Sequence, residues 1–518
     1  MRSSRIIALV AVTGALLSTS ALARHLDPVP AHPGSWHYNP AKQPFHAPKG
    51  ATSGTWSMLN NTFPGTGDTA LLLTDGTVIM HDLCTTNWYK LTPDNTGSYK
   101  NGTWSSIASM PSGYNPLYFG SQVMPDGQHV TVEGGEYLNC KSVWTNKGAI
   151  YDSVANTWTN VPPPTGWSTI GDAQSVVRTD GLLMQADCCT TKEAIATISG
   201  DTITWTATGT GKADRNDEEG WTQLPDGTIL TVDASRDLGS SNDYEIYSEN
   251  TGSWVTPGKI GFSCVDPSTS EIGPALLLDN GLVFQLCGTS HTGTYNPLTT
   301  SWTQGPDLPS VGAEDPSSVG DGPAAVLPDG NVLVAASPGV FANPTHFFEI
   351  KVKNANKITI TQVDEPASAA DQSSWESRML VLPTGEVLWS SDVGDVEIYT
   401  PVGKPVKAAI PKITASPKTA TRGSTNNSIS GVGFNGLSYG GYYGDDVQVS
   451  TNYPLVRFTN NASGHVCYAK THNYATGISD GSTTSAQFDV PSSCEKGRSK
   501  LEVVVNGVAS ATAKIKLK

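Results

Sequence analysis

The chain has 518 residues, only 15% of them charged, with 52 glycines and 34 prolines, a composition that suits short strands and turns better than long amphipathic helices. A net charge of −15 argues against nucleic acid as a partner, because its phosphates would be repelled. Cations and neutral sugars stay compatible. Residues 1–23 read as a signal peptide: Arg2 and Arg5 come first, an apolar run follows from Ile6 to Leu17, and Ala21-Leu22-Ala23 ends it. The run is too short to span a membrane. The expectation is a secreted or periplasmic protein, with no membrane span, that begins after Ala23. Residues 24–53 form a Pro/His-rich segment with His25, His32, His37 and His46, read as a surface linker rather than a metal site.

From residue 54 to 402 one pattern recurs seven times: an apolar run, a tight turn ending in glycine, and a second apolar run. ALLLTDGTVIM, WTQLPDGTILTV and MLVLPTGEVLWS are three copies. The turn glycines are Gly76, Gly127, Gly181, Gly227, Gly281, Gly330 and Gly385, spaced by 51, 54, 46, 54, 49 and 55 residues. Asp-Gly and Asn-Gly between β-rich runs signal hairpins, and a repeat near 50 residues built on them marks a kelch-type β-propeller of seven blades. GTWSML at 54–59 matches the outer strands NTWTNV, GSWVTP and TSWTQG; the last repeat, ending in DVEIYTP, lacks one. Residues 54–59 are therefore expected to complete the last blade. Tyr151, Tyr247, Tyr295 and Tyr399, with the outer-strand tryptophans, read as packing residues.

Beyond Pro401 the pattern stops. Residues 407–518 hold alternating β-runs such as PLVRFT, HVCYAKT, SAQFDV and KLEVVVNG, which predict an immunoglobulin-like β-sandwich. The fold class is therefore all-β. The eight cysteines are an even set with no CxxC or Cys/His metal spacing. The expected disulfides are Cys84–Cys140, Cys188–Cys189, Cys264–Cys287 and Cys467–Cys494.

Kelch-like repeats followed by GFNGLSYGGYYGDDVQVSTNYPLVRFTN resemble the galactose oxidase and glyoxal oxidase superfamily, across nearly all of the mature chain. The resemblance implies an axial copper held by two tyrosines and two histidines, one tyrosine cross-linked to a cysteine. It also implies a C-terminal hairpin that brings one histidine to the axis. Counted back from the turn glycines, the copper-site-equivalent positions here are Tyr118, Asp172, Trp375 and Glu376, with His472 in KTHNY as the C-terminal counterpart. A thiolate beside a phenol is missing, and copper(II) favours imidazole and phenolate over carboxylate. The fold is expected without the copper radical cofactor.

Six of seven repeats instead place a carboxylate 8 to 10 residues before the glycine: Asp68, Asp172, Glu218 with Glu219, Glu271, Asp321 and Glu376. Asp82, Glu133, Asp187 and Asp233 follow six past it, with His81 beside Asp82. On a propeller these acids share one pore mouth. Such a ring would hold a divalent cation, calcium by its oxygen ligands or a transition metal if His472 joins Asp172 and Glu376. Crowded carboxylates would also serve as general acid and base in glycan cleavage. The plainer alternative is that they cap turns. Trp375, Trp221, Tyr137, Tyr118 and Phe119 are candidates for stacking on sugars, or for core packing. No GxSxG, HExxH or phosphate loop occurs. The first functional expectation is a carbohydrate-interacting extracellular protein. The alternatives are a divergent oxidase, a carboxylate-based glycan-degrading enzyme, or a protein-binding scaffold.

Overall fold

Six of the seven repeats turn on a three-residue loop; the second has four, with Met124 N–H donating to His129 O (2.9 Å). Gly76 N–H donates to Leu73 O (3.0 Å) and Leu73 N–H to Thr77 O (2.7 Å). This is a type I turn closed by a residue in the left-handed region, a position that glycine fills without strain. The seven glycines have φ between +68° and +84°. The residue before each glycine is chosen for its side chain. Asp75, Asp126, Asp180, Asp226, Asn280 and Asp329 each accept the backbone N–H two residues on, at 2.8–3.1 Å. The seventh repeat has Thr384 there, which bonds Glu386 instead.

The computed structural model describes residues 53–235, 241–392, 396–443 and 450–518. The expected signal peptide and nearly all of the Pro/His-rich linker lie outside the described residues. The molecule is all-β, and its antiparallel sheets are consistent with a propeller. Six sheets have four strands and one has five. In the first, Gly67–Leu72 and Val78–Asp82 form the hairpin, and Trp88–Thr92 and Thr103–Ser106 follow outward. Neighbouring sheets are stitched by side chains reaching backbone, as in Gln122 to Ser175 O (3.1 Å) and Thr222 to Ala275 O (2.8 Å).

Four sheets place a third-strand tyrosine directly opposite a fourth-strand tryptophan. Tyr151 faces Trp158, Tyr247 faces Trp254, Tyr295 faces Trp302, and Tyr399 faces Trp56. Their ring centroids are 5.0–5.3 Å apart. The fourth pair joins the two ends of the repeat region, because strand Thr55–Met58 pairs with Glu397–Thr400. Trp56 also donates its indole N–H to Asp364 O (2.7 Å). Ser390 hydroxyl donates to Asp68 O (2.9 Å), so the last sheet abuts the first.

The C-terminal strands form one linked nine-stranded sheet among the described residues. Strand Val466–His472 pairs with Leu455–Asn460 through its first half and with Thr483–Asp489 through its last three residues. This unit docks on the turn ends of the hairpins. Thr471 N–H bonds Thr74 O (3.2 Å), Asn473 N–H bonds Pro125 O (2.8 Å), and Tyr474 hydroxyl bonds Met124 O (3.2 Å). The Tyr468 ring lies where a side chain on Gly76 would be, a second reason for glycine there. One segment then runs between the sheets. Tyr439 N–H bonds Leu277 O near a turn, and Gly441–Tyr443 pairs with Pro323–Ala325 as a fifth strand. Tyr443 hydroxyl reaches Trp375 O (2.8 Å), at the far end of the inner strands.

Trp56→Ala should destabilise the protein by about 3 kcal/mol, because a large ring leaves a packed cluster. Thr55→Ala, exposed on the same strand, should change stability by less than about 0.5 kcal/mol. Denaturant midpoints at unchanged slope would check both.

Candidate functional site

The end of the inner hairpins opposite the turns carries the candidate site. Its best-defined part is a buried charge network between the first, second and last sheets. Asp68 binds His81 Nδ1 (3.0 Å) and lies 3.7 Å from the Arg378 guanidinium. His81 Nε2 faces Thr85 O (2.8 Å). Arg378 donates to Trp375 O and Ser377 O, both at 3.0 Å. Its guanidinium carbon stands 3.7 Å from the Tyr443 ring centroid and 5.1 Å from that of Tyr118. Tyr118 hydroxyl donates to Asp392 (3.0 Å). Burial pushes the Asp392 carboxyl well up, Arg378 pulls it back, and burial with the nearby Asp392 charge pushes the Tyr118 phenol well up.

These groups do not fit a copper–tyrosyl centre. Both ring nitrogens of His81 are engaged, the Tyr118 phenol is held neutral, and a fixed guanidinium stands between the two tyrosines. All eight cysteines form the four expected pairs, with Cα separations of 3.6–5.6 Å, which leaves no thiolate for a cross-link. His472 is a correction to the sequence expectation. It lies at the turn end, against Gly127, and bonds Asp489 (3.0 Å). Its strand is tied to the first and second turns, so the histidine is not brought to Asp172 and Glu376. The segment that does reach the far end carries Tyr443.

The predicted acids fall into distinct groups. Glu218, Glu271 and Asp321 come from three consecutive repeats, and one ligand oxygen of each lies within 4.8 Å of the others. Glu271 is fully buried and Glu218 nearly so. Glu218 and Asp321 have φ of +60° and +57°, the same left-handed turn at equivalent positions. Asp172 is 5% exposed and does not join that trio. Glu376 caps its own turn by accepting Ser373 N–H (2.9 Å), and burial pushes its carboxyl up.

Glu219 belongs to a second cluster, around the buried Lys212. The ammonium lies 3.0 Å from Glu219, 3.5 Å from Asp233 and 2.5 Å from Glu245. Burial pushes Asp233 up to about 10, and Glu219 moves in the same direction. Burial also raises Glu193, to about 8, although it accepts the Trp254 indole N–H (2.7 Å). Glu133 is buried on its strand with its carboxyl raised by burial alone. Asp82 and Asp187 bond their own loops: Asp82 accepts Thr66 N–H (2.9 Å), and Asp187 accepts the Thr169 hydroxyl (2.8 Å).

Of the aromatics, Trp221 and Phe119 are fully buried, packing on Trp254 and on His81. Tyr118, Tyr137 and the half-buried Trp375 make one group beside Cys84–Cys140, with Tyr118 centroids 5.7 and 5.8 Å from the other two. Three residues of this end were missed by sequence reading: Arg378, Asp392 and Tyr443. The signal for Arg378 was a cation inside an otherwise apolar inner strand. Asp392 sits seven residues past Gly385, one step beyond the positions compared.

No family model matches the chain, and no curated protein matches it. Among solved structures, a copper-bound fungal alcohol oxidase of the AA5 family is similar at 14% identity and TM-score 0.48, over 90% of this chain and 99% of its own. The structure of YjhT is similar at 12% identity and TM-score 0.38, over 59% and 99%. YCF48 bound to D1 peptide is similar at 11% identity and TM-score 0.44, over 68% and 99%. At these values no residue's role transfers to this chain.

Arg378→Met should cost about 3–5 kcal/mol, since it strands Asp68 and Asp392 without a cation. Adding Asp392→Asn should restore part of that loss; a double-mutant cycle on denaturant midpoints measures it. Glu193→Gln tests the other cluster by pH. A carboxyl raised from 4.5 to about 8 stabilises the fold below pH 4.5 relative to higher pH, and that contribution is lost as pH rises towards 8. The variant should match wild type near pH 4 and lose about 1.4 kcal/mol less per pH unit across the window. Paired urea titrations at both limits would show it.

Proposed function

We propose that the protein is an exported, galactose oxidase-like kelch propeller of seven blades (residues 54–402) with a C-terminal immunoglobulin-like sandwich (407–518). In this reading it engages extracellular carbohydrate at an acidic axial mouth that holds a divalent cation, and it has no copper-radical oxidase activity. The observation that carries the reading is the convergence of Glu218, Glu271 and Asp321 from three consecutive repeats. Three carboxylates brought so close repel one another, and the cost is offset when a cation shares them. Oxygen-only donors favour calcium or manganese over copper.

The other parts of the proposal rest on separate supports. Trp375, half-buried beside Tyr118 and Tyr137, offers an aromatic face to a sugar ring at the same end. Four cysteine pairs at disulfide distance suit an oxidising compartment. No helix among the described residues is long and apolar enough to cross a membrane. The absence of copper chemistry in this reading is supported by the Arg378 guanidinium packed against both tyrosine rings.

Calorimetric titration with Ca²⁺ and Mn²⁺ tests the centre of this reading. Wild type should bind one of them, and Glu271→Gln should weaken that binding at least tenfold, about 1.4 kcal/mol or more. Trp375→Ala should reduce retention on polysaccharide columns while leaving cation binding intact. Stoichiometric copper with a tyrosyl radical signal, or no cation affinity at all, would overturn it.

A further inference from the structure

A second cluster lies at the opposite, turn end of the hairpins, between the second and third sheets. His129 opens strand His129–Glu133, and Asp152 closes the neighbouring strand Gly148–Asp152, directly opposite it in register. Asp201 comes from the next sheet, in the two-residue turn between Glu193–Ser199 and Thr202–Thr208. Asp126, in the hairpin turn, stands behind the imidazole.

The histidine is oriented as a ligand. Its Nδ1 lies 2.5 Å from Asp126 Oδ2, and its backbone N–H donates to Asp126 Oδ1 (2.9 Å). A carboxylate on Nδ1 holds that nitrogen as the donor and turns the Nε2 lone pair outward, the outer-shell arrangement behind many metal-bound histidines. His129 is 6% exposed, and its buried Nε2 has no hydrogen-bond partner. That atom points at acids: one oxygen each of Asp152 and Asp201 lies with it inside a mutual 4.8 Å.

The distances also suit a metal site. Nε2 to Asp201 Oδ1 is 3.5 Å, longer than a good hydrogen bond between these groups. Two ligand atoms each ~2.1 Å from a tetrahedral zinc stand roughly 3.4 Å apart. Asp152 is held in place by Val154 N–H and Ala155 N–H on Oδ1 and by the Gln128 amide on Oδ2, all at 2.8 Å, and each oxygen keeps lone pairs to spare. The Asp201 side chain is 42% exposed, which leaves a route for the ion and a position for water.

We propose that His129 Nε2, Asp152 and Asp201 bind a divalent transition-metal ion of the zinc class, with Asp126 as the positioning carboxylate. One imidazole with two carboxylates is the donor set expected for Zn²⁺ or Mn²⁺ rather than calcium. The ion would tie the second sheet to the third at their periphery. The site is separate from the axial acids and does not depend on how they are read.

Titration of the chelator-treated full chain with Zn²⁺, and with Co²⁺ as a coloured probe, tests this. Wild type should bind one equivalent more than Asp201→Asn or His129→Gln, and the Co²⁺ visible band should fall in both variants. Glu271→Gln should keep that equivalent, which distinguishes this site from the axial one. Any binding at the N-terminal histidines would be common to all variants and would cancel in the difference. Asp201 lies in an exposed turn, so its variant stays informative if His129→Gln folds poorly. Equal stoichiometry and affinity in wild type and Asp201→Asn would overturn the proposal.

Discussion

Two backbone hydrogen bonds and one left-handed residue close each inner hairpin, and the rest of the molecule depends on that closure. The glycine keeps the turn tight and leaves its outer surface bare. The C-terminal unit uses that bareness, placing Tyr468 over Gly76 and the Thr471–His472 backbone over Gly127. With the turns covered, the other end of each hairpin is where residues eight to ten positions earlier converge. Two chemically different ends follow from one repeated loop. The turn end takes the docked tyrosines and carries the His129 cluster at its periphery, while the axial carboxylates gather at the far end.

Carboxylates buried in such numbers must be compensated, and the protein does this in three ways. Fixed cations serve two groups: Arg378 lies near Asp68 and Asp392, and Lys212 lies among Glu219, Asp233 and Glu245. Protonation serves others, as for Glu193 and Glu133, whose carboxyls are raised by burial. Local capping serves Glu376, Asp82 and Asp187. The trio Glu218, Glu271 and Asp321 stands apart, because its members come from three repeats and face one another. That difference separates a candidate binding centre from acids that shape loops.

The hairpins and the Tyr–Trp pairs were legible because they are local. A turn of three residues and a strand alternation carry their own signal in contiguous sequence. The ruler of turn glycines also picked out Glu218, Glu271 and Asp321 as equivalent positions. It could not say which of them would meet, since Glu219 and Glu218 are adjacent in sequence yet join different clusters. Arg378 was invisible for a related reason. Asp392 follows the partner strand of its own hairpin, but Asp68, Tyr118 and Tyr443 lie in three distant segments, and their proximity is a product of closure. His472 misled because the histidine type was matched before the path of the C-terminal segment was known. The strand that reaches the far end is Gly441–Tyr443, and its signal was a run of tyrosines rather than a histidine.

Thr55–Met58, the strand that supplies Trp56 to the last sheet, sets an order of events. A chain made from its N-terminus produces this strand first and its partner Glu397–Thr400 more than three hundred residues later. Until then the strand has an open edge and the last sheet does not exist. The two ends of the repeat region thus act as a clasp that cannot fasten before every intervening sheet has been made. Joining them closes a very long loop, a non-local step of the kind that slows folding. Once fastened, neither end can be pulled away without opening the sheet that holds both.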